Sequence, residues 1–260
     1  MPEPDLSNPE FVAFFESIRR DDVARVGGKN ASLGEMIHSL ADRGVRVPGG
    51  FATTSEAYRA FLGANDLEEP IADHLAAMEA GHQTLRETGE AIRGLMLDPS
   101  VEFPDPLRQA ILEAYRTLSR RYDTDAVDVA ARSSATAEDL PEASFAGQQE
   151  SFLNIQGEDA VMEACRRCFA SLFTDRAITY RREKGFGHMD VALSVGFQKM
   201  VRSDRASAGV MFTIDTDTGF PDALVINGNW GLGETVVQGS VNPDQFTVYK
   251  PFLNETERVP

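Results

Sequence analysis

Cysteine is nearly absent. The 260 residues hold only Cys165 and Cys168, three apart in the helix-patterned stretch 159–173. With no second pair they cannot complete a four-ligand zinc site. A redox CxxC pair belongs at the start of a helix after a strand, where the helix dipole lowers a thiol pKa, so two ordinary buried or half-buried thiols are expected here. Long apolar runs are missing as well, none approaching the roughly 20 residues that cross a bilayer. The start, Met1 to Asp5, has neither the basic residues nor the apolar core of a signal peptide, so the sequence reads as cytoplasmic with no membrane partner. Basic charge is scarce: 25 Lys and Arg against 41 Asp and Glu leave a formal net charge of −16. A nucleic-acid partner, which requires a basic face to displace counterions, is excluded by that balance. Internal repeats and low-complexity segments are also lacking.

What is present is ordinary globular material, 42% hydrophobic and 25% charged, enough for one large domain or two small ones. Pro2, Pro4 and Pro9 predict a loose start, followed by a short helix or docked arm over the apolar-periodic residues Phe11 to Ile18. Leu33, Met36, Ile37 and Leu40 recur at helical spacing from Ala31 onward, and Gly44 supplies a stop. Residues 45–52 read as a short strand, and Thr54 or Ser55 as the cap of the next helix. From 70 to 122 the pattern is nearly all helical. There Leu107, Ile111, Leu112, Tyr115, Leu118 and Tyr122 form one stripe. Strands follow at 129–132, 152–155, 191–197, 209–214, 223–226 and 246–249, with helices near 158–173 and 175–184 between them. Helices first and strands later, in mixed connection, predict an α+β fold. The basic group Arg176, Arg181, Arg182 and Lys184 reads as a solvated helix face.

Residues 129–149, VAARSSATAEDLPEASFAGQQ, are the most informative segment. A short apolar strand delivers Arg132, a rigid fork of donors suited to phosphate oxygens, into a run of small and hydroxylated residues. A charge in a buried strand needs a partner, either a structural carboxylate or a ligand phosphate. Ser133, Ser134 and Thr136 add hydroxyl or backbone donors, and Gly147 suits the loop from 136 to 148 to hinge as a water-excluding cover. Lys29 follows Gly27-Gly28 at a helix start, where the N-terminal amides favour an anion; it is a phosphate clamp or a surface lysine beside a turn. Gln198, Met200 and Val201 end an alternating strand, where unpaired backbone groups can read the edge of a nucleotide base, or simply face solvent. Asp215 precedes a turn, Thr216 to Gly219, and either braces it or meets a metal or phosphate. Gly233 and Glu234 combine close backbone approach with a carboxylate, or serve only a tight turn.

Taken together, GGKNASLGEM, ARSSATAEDLPEASFAGQQESFLN, KMVRSD, GVMFTIDTDTGF and WGLGETVVQGSVNPDQF resemble the nucleotide-binding domain of the dikinases that make or use phosphoenolpyruvate. The likeness runs over roughly residues 22–251. It implies an ATP-grasp domain of two α+β lobes that clamp the nucleotide. The first would span 1–190 with the helical scaffold and phosphate loops, the second 191–260 with its C-terminal part incomplete. It implies ATP and magnesium as cofactors, Lys29 and Arg132 on the phosphates, and Gln198, Met200 and Val201 around the base. The family reaction converts ATP, pyruvate and water to AMP, phosphate and phosphoenolpyruvate through a phosphohistidine on a separate domain. His38, His74, His82 and His188 do not match that histidine, and the family's magnesium ligands and pyruvate-binding barrel are expected beyond residue 260. The chain then reads as a piece that is inactive alone, within a longer phosphotransferase. Two other readings stay open: a rifamycin-type antibiotic phosphotransferase, and a stand-alone nucleotide-binding regulatory module.

Overall fold

The computed structural model describes residues 10–136 and 151–253. The proline-rich start, the cover expected over 137–148 with its hinge at Gly147, and the end of the chain lie outside the described residues. The fold is α+β, and the chain divides into two compact units, Met1–Met200 and Val201–Pro260.

In the first unit the arm after residue 10 is docked as a strand rather than a helix. β1 (Val12–Phe14) pairs antiparallel with β2 (Gly50–Thr53), in register Ala13↔Ala52. β3 (Val129–Ala135), β4 (Ser151–Ile155) and β5 (Leu193–Lys199) complete a five-stranded antiparallel sheet in the order β1-β2-β5-β3-β4. β5 is therefore integral to the first unit, which ends at 200 and not at the expected 190.

Helices cover both faces. α1 (Val23–Leu40) begins earlier than the apolar spacing from Ala31 predicts. It lies on a face of small residues, packing Val26 and Ala31 against Ala13 and Ala52. The opposite face carries Phe51, Phe197, Val195 and Leu193 into the main core. There it meets α2 (Ser55–Ala64), α5 (Asp105–Arg121) and α6 (Glu158–Ala170), with α3 (Glu68–Glu79) and α4 (Leu85–Met96) behind. Fully burying each such large side chain contributes about 1.5–3 kcal/mol relative to exposure. Phe51 and Phe197 stack at 5.0 Å, and Tyr58, Phe61 and Phe103 cluster on Phe169. Leu107, Ile111, Leu112, Tyr115 and Leu118 form the buried stripe of α5. Tyr122 leaves that stripe because the helix ends at Arg121; it is exposed, and its hydroxyl accepts the Gly49 N–H at 3.1 Å. Thr54 caps α2, and Thr84 with Glu87 forms a reciprocal capping box on α4.

α7 (Asp175–Lys184) exposes Arg176, Arg182 and Lys184 as expected of a solvated basic face, but Arg181 is fully buried. Its Nη1 donates to the Leu172 carbonyl at 2.6 Å, its Nε donates to His188 Nδ1 at 3.2 Å, and its guanidinium lies against the Phe173 ring. Burial pulls its pKa down to about 10. Cys165 and Cys168 are buried free thiols, and burial pushes Cys165 well above the usual thiol range. In the second unit β6 (Ser207–Phe212), β7 (Ala223–Trp230) and β8 (Asp244–Tyr249) form a three-stranded antiparallel sheet, with the short helix α8 (Gly233–Val237) packed on it. No helix among the described residues is long and apolar enough to cross a membrane.

Candidate functional site

α1 is broken at Gly27, which has φ +76°, and its helix restarts beside β3. A Cβ at Gly27 would collide with both the side chain and the backbone of Ser134, so only glycine allows this approach. The restart brings the Lys29 N–H to Ser134 Oγ at 3.1 Å, while Lys29 Nζ reaches the Ser133 carbonyl at 3.5 Å. Ser134 is thus a buried acceptor that caps the first turn of the restarted helix.

Strand alternation places Ser134, Arg132 and Ala130 on the α1 face, paired with Ser194, Gly196 and Gln198 of β5. Ser133 falls on the opposite face and is buried, so its carbonyl rather than its hydroxyl meets Lys29. Arg132 is the one exposed position of β3, and no other described residue forms an ion pair or hydrogen bond with its guanidinium.

Lys29 and Arg132 line one cavity of about 220 Å³, together with Asn30, Ser32 and Gln198 and the apolar Phe15, Leu33 and Gly196. Two cations distant in sequence therefore meet the same space, where they can neutralise a polyanion while the apolar lining covers an uncharged part of it. Every lining residue belongs to the first unit.

The remaining candidates are occupied by local structure. Thr136 extends the sheet: its N–H donates to the Ala192 carbonyl, and its hydroxyl is within 3.2 Å of that carbonyl and 3.1 Å of the Ala192 N–H. Gln198 Nε2 donates to the Pro48 carbonyl at 3.1 Å. Met200 donates its N–H to Asp128 at 3.0 Å and accepts Lys199 Nζ on its carbonyl at 2.7 Å, so this strand end is not the unpaired backbone that was expected. Lys199 is itself ion-paired with Asp128 at 2.6 Å.

In the second unit Val201 is exposed, and its carbonyl accepts the Ser203 N–H. Asp215 braces its turn, accepting Thr218 Oγ1 at 2.8 Å and the Asp217 N–H at 3.0 Å; these bonds hold its carboxyl below the usual range. Gly233 opens α8 against Ala208, and the exposed Glu234 accepts Gln238 Nε2 at 3.0 Å. Among the described residues no group of three or more His, Cys, Asp or Glu could hold a metal ion.

Sequence reasoning missed Asn30 and Gly196. Asn30 is 1% exposed in the middle of the lining, and a Cβ at Gly196 would collide with its Oδ1. A glycine inside a strand, opposite a polar residue on a helix's inner face, was the available signal.

Residues 23–258 match the family described as pyruvate phosphate dikinase, AMP/ATP-binding domain. The chain belongs to that family. Among curated relatives, the phosphoenolpyruvate synthase of Synechocystis sp. is 55% identical over 249 residues, covering 94% of this chain and 30% of that protein. That of Escherichia coli K12 is 53% identical over 243 residues, covering 93% and 30%. A probable phosphoenolpyruvate synthase of Methanocaldococcus jannaschii is 44% identical over 250 residues, covering 96% and 20%. The chain thus spans about 30% of the length of the first two relatives.

Proposed function

We propose that the chain is the ATP-binding part of a phosphoenolpyruvate synthase. In that enzyme ATP, pyruvate and water become AMP, phosphoenolpyruvate and phosphate, through a phosphohistidine carried on another domain of the same protein. The observation that carries this reading is the shared cavity of Lys29 and Arg132 in a chain of the AMP/ATP-binding family. The synthase names of the relatives favour pyruvate over an antibiotic as the final acceptor. Lys29 and Arg132 would hold and neutralise the phosphates, while Gln198, Met200 and Val201 would lie towards the base. Catalysis here is positioning and charge stabilisation, with no covalent step on this chain's own side chains.

The fold reading is an ATP-grasp domain of two α+β lobes, with the boundary expected at 190 taken at 200 so that β5 stays in the sheet of the first lobe. Asp215, Gly233 and Glu234 would serve as second-lobe contacts. Magnesium belongs to this chemistry, but the described residues offer no carboxylate cluster for it, and we assign it no ligand here. The setting is cytoplasmic, where ATP is supplied, and the chain by itself is expected not to turn pyruvate over.

Titration calorimetry of this chain with ATP tests the site. A charge-assisted hydrogen bond contributes about 1.5–3 kcal/mol, so Lys29→Ala and Arg132→Ala should each weaken binding about 10- to 100-fold. Affinity unchanged in both variants would overturn the assignment.

A further inference from the structure

Beneath the cavity runs a line of buried polar groups that nucleotide contact alone does not explain. Asn30 is 1% exposed, and Ser194 and Thr53 are fully buried. Asn30 Nδ2 donates to Ser194 Oγ and to the Val26 carbonyl, each at 2.9 Å. Ser194 Oγ donates in turn to the Thr53 carbonyl at 2.5 Å, and Thr53 Oγ1 accepts the Val195 N–H at 2.9 Å. Both amide protons of Asn30 and the single hydroxyl proton of Ser194 are therefore committed. The line ties α1 to β5 and β2 at once.

Apolar packing alone would hold α1 to the sheet, but it is non-directional and leaves small sliding movements open. Hydrogen bonds between buried groups set direction, and breaking one leaves an unsatisfied polar atom. Their placement matters because Ser194 pairs across the strands with Ser134, which caps the Lys29 N–H. Two neighbouring serines thus seat two consecutive residues of α1. Two positions further along the same face stand Arg132 and its strand partner Gly196, which lies directly against Asn30.

We propose that Asn30, acting through Ser194, is a positioning residue that sets the spacing between Lys29 and Arg132 for a polyphosphate. This rests on the reading of the cavity as the ATP site. Ligand affinity then depends on Asn30 only by way of the lysine.

The test is ATP calorimetry with thermal melts on this chain, comparing Asn30→Ala, Ser194→Ala, Lys29→Gln and both combinations with Lys29→Gln. Loss of a charge-assisted contact costs about 10- to 100-fold in affinity, so Asn30→Ala, which displaces Lys29, should weaken ATP by about tenfold or more, up to that limit. In the Lys29→Gln background it should add less than about twofold, because additivity fails for groups that act through one another. The same factor in both backgrounds would show general loosening and overturn the proposal, as would wild-type affinity in Asn30→Ala. If Asn30→Ala fails to fold, Ser194→Ala, which removes one hydroxyl, must show the same dependence on Lys29. Wild-type affinity in Lys29→Gln defeats the reading of the cavity itself. A weakened Lys29→Gln beside unaffected Asn30→Ala and Ser194→Ala defeats only the positioning role.

Discussion

The two faces of the five-stranded sheet are built to opposite rules. Towards α1 the strands present Ala13, Ala52, Ser194, Gly196 and Ser134, side chains small enough to bring a helix backbone close. Towards α5 and α6 the same strands present Phe51, Phe197, Val195 and Leu193, which fill the main core. The main core lies on one face and the candidate cavity on the other, and the adjacent positions 196 and 197 fall on opposite sides. Phe197→Ala should give the largest effect, a loss of about 3–5 kcal/mol from the lost stacking on Phe51 and the cavity left behind. Chemical denaturation measures it. ATP affinity per folded molecule should stay near the wild-type value, and a large affinity loss would show that the faces are not independent.

Gly196→Ala probes the other face one residue away. Its Cβ would collide with Asn30 Oδ1, so α1 must shift or the asparagine must leave its seat. Overpacking of this kind costs about 1–3 kcal/mol of stability. The affinity loss should be about tenfold or more, since the shift moves Lys29 relative to Arg132 and weakens a charge-assisted contact. The pair of substitutions thus predicts a crossed result, with stability lost most at 197 and binding lost most at 196.

Much of the first unit was legible from sequence, because its helices carry strong periodicity and explicit caps. The α5 stripe and the Thr54 cap formed as their chemistry dictates. Convergence of Lys29 and Arg132 came from motif resemblance; periodicity carries no information about pairing between α1 and β3. Two arginines show that an element's pattern does not settle whether its charge is buried, and for one reason. Arg132 sits in a buried strand but is exposed, because the face it occupies opens into the cavity. Arg181 sits in a helix of strongly polar composition but is buried, because the Leu172 carbonyl, left open at the end of a helical turn, accepts its guanidinium. Burial of a charge follows its tertiary partners, which one-dimensional patterning does not contain. The seat of Asn30 was missed likewise, since its partner Ser194 lies 164 positions away.

Arg181 also yields the smallest predicted effect, one confined to the core side of the comparison. Its Nε donates to His188 Nδ1, which can accept only while the imidazole is neutral at that nitrogen. Burial, then the nearby Arg181 and Arg182 charges, lower the His188 pKa, while Glu79 opposes them. A histidine pKa depressed by folding means that the unfolded chain takes up the proton first as pH falls. Above about pH 6.5 both states are neutral and the group contributes nothing; below it, protonation of the unfolded state draws stability away until the lower folded pKa is reached. His188→Gln, which keeps an acceptor for Arg181 but cannot titrate, should flatten the fall in urea midpoint between pH 7 and 5. The ATP affinity of the folded protein at pH 7 should be unchanged by it, because His188 lines no part of the cavity that holds Lys29 and Arg132. An acid limb as steep in the variant as in the wild type would assign the loss to carboxylates elsewhere.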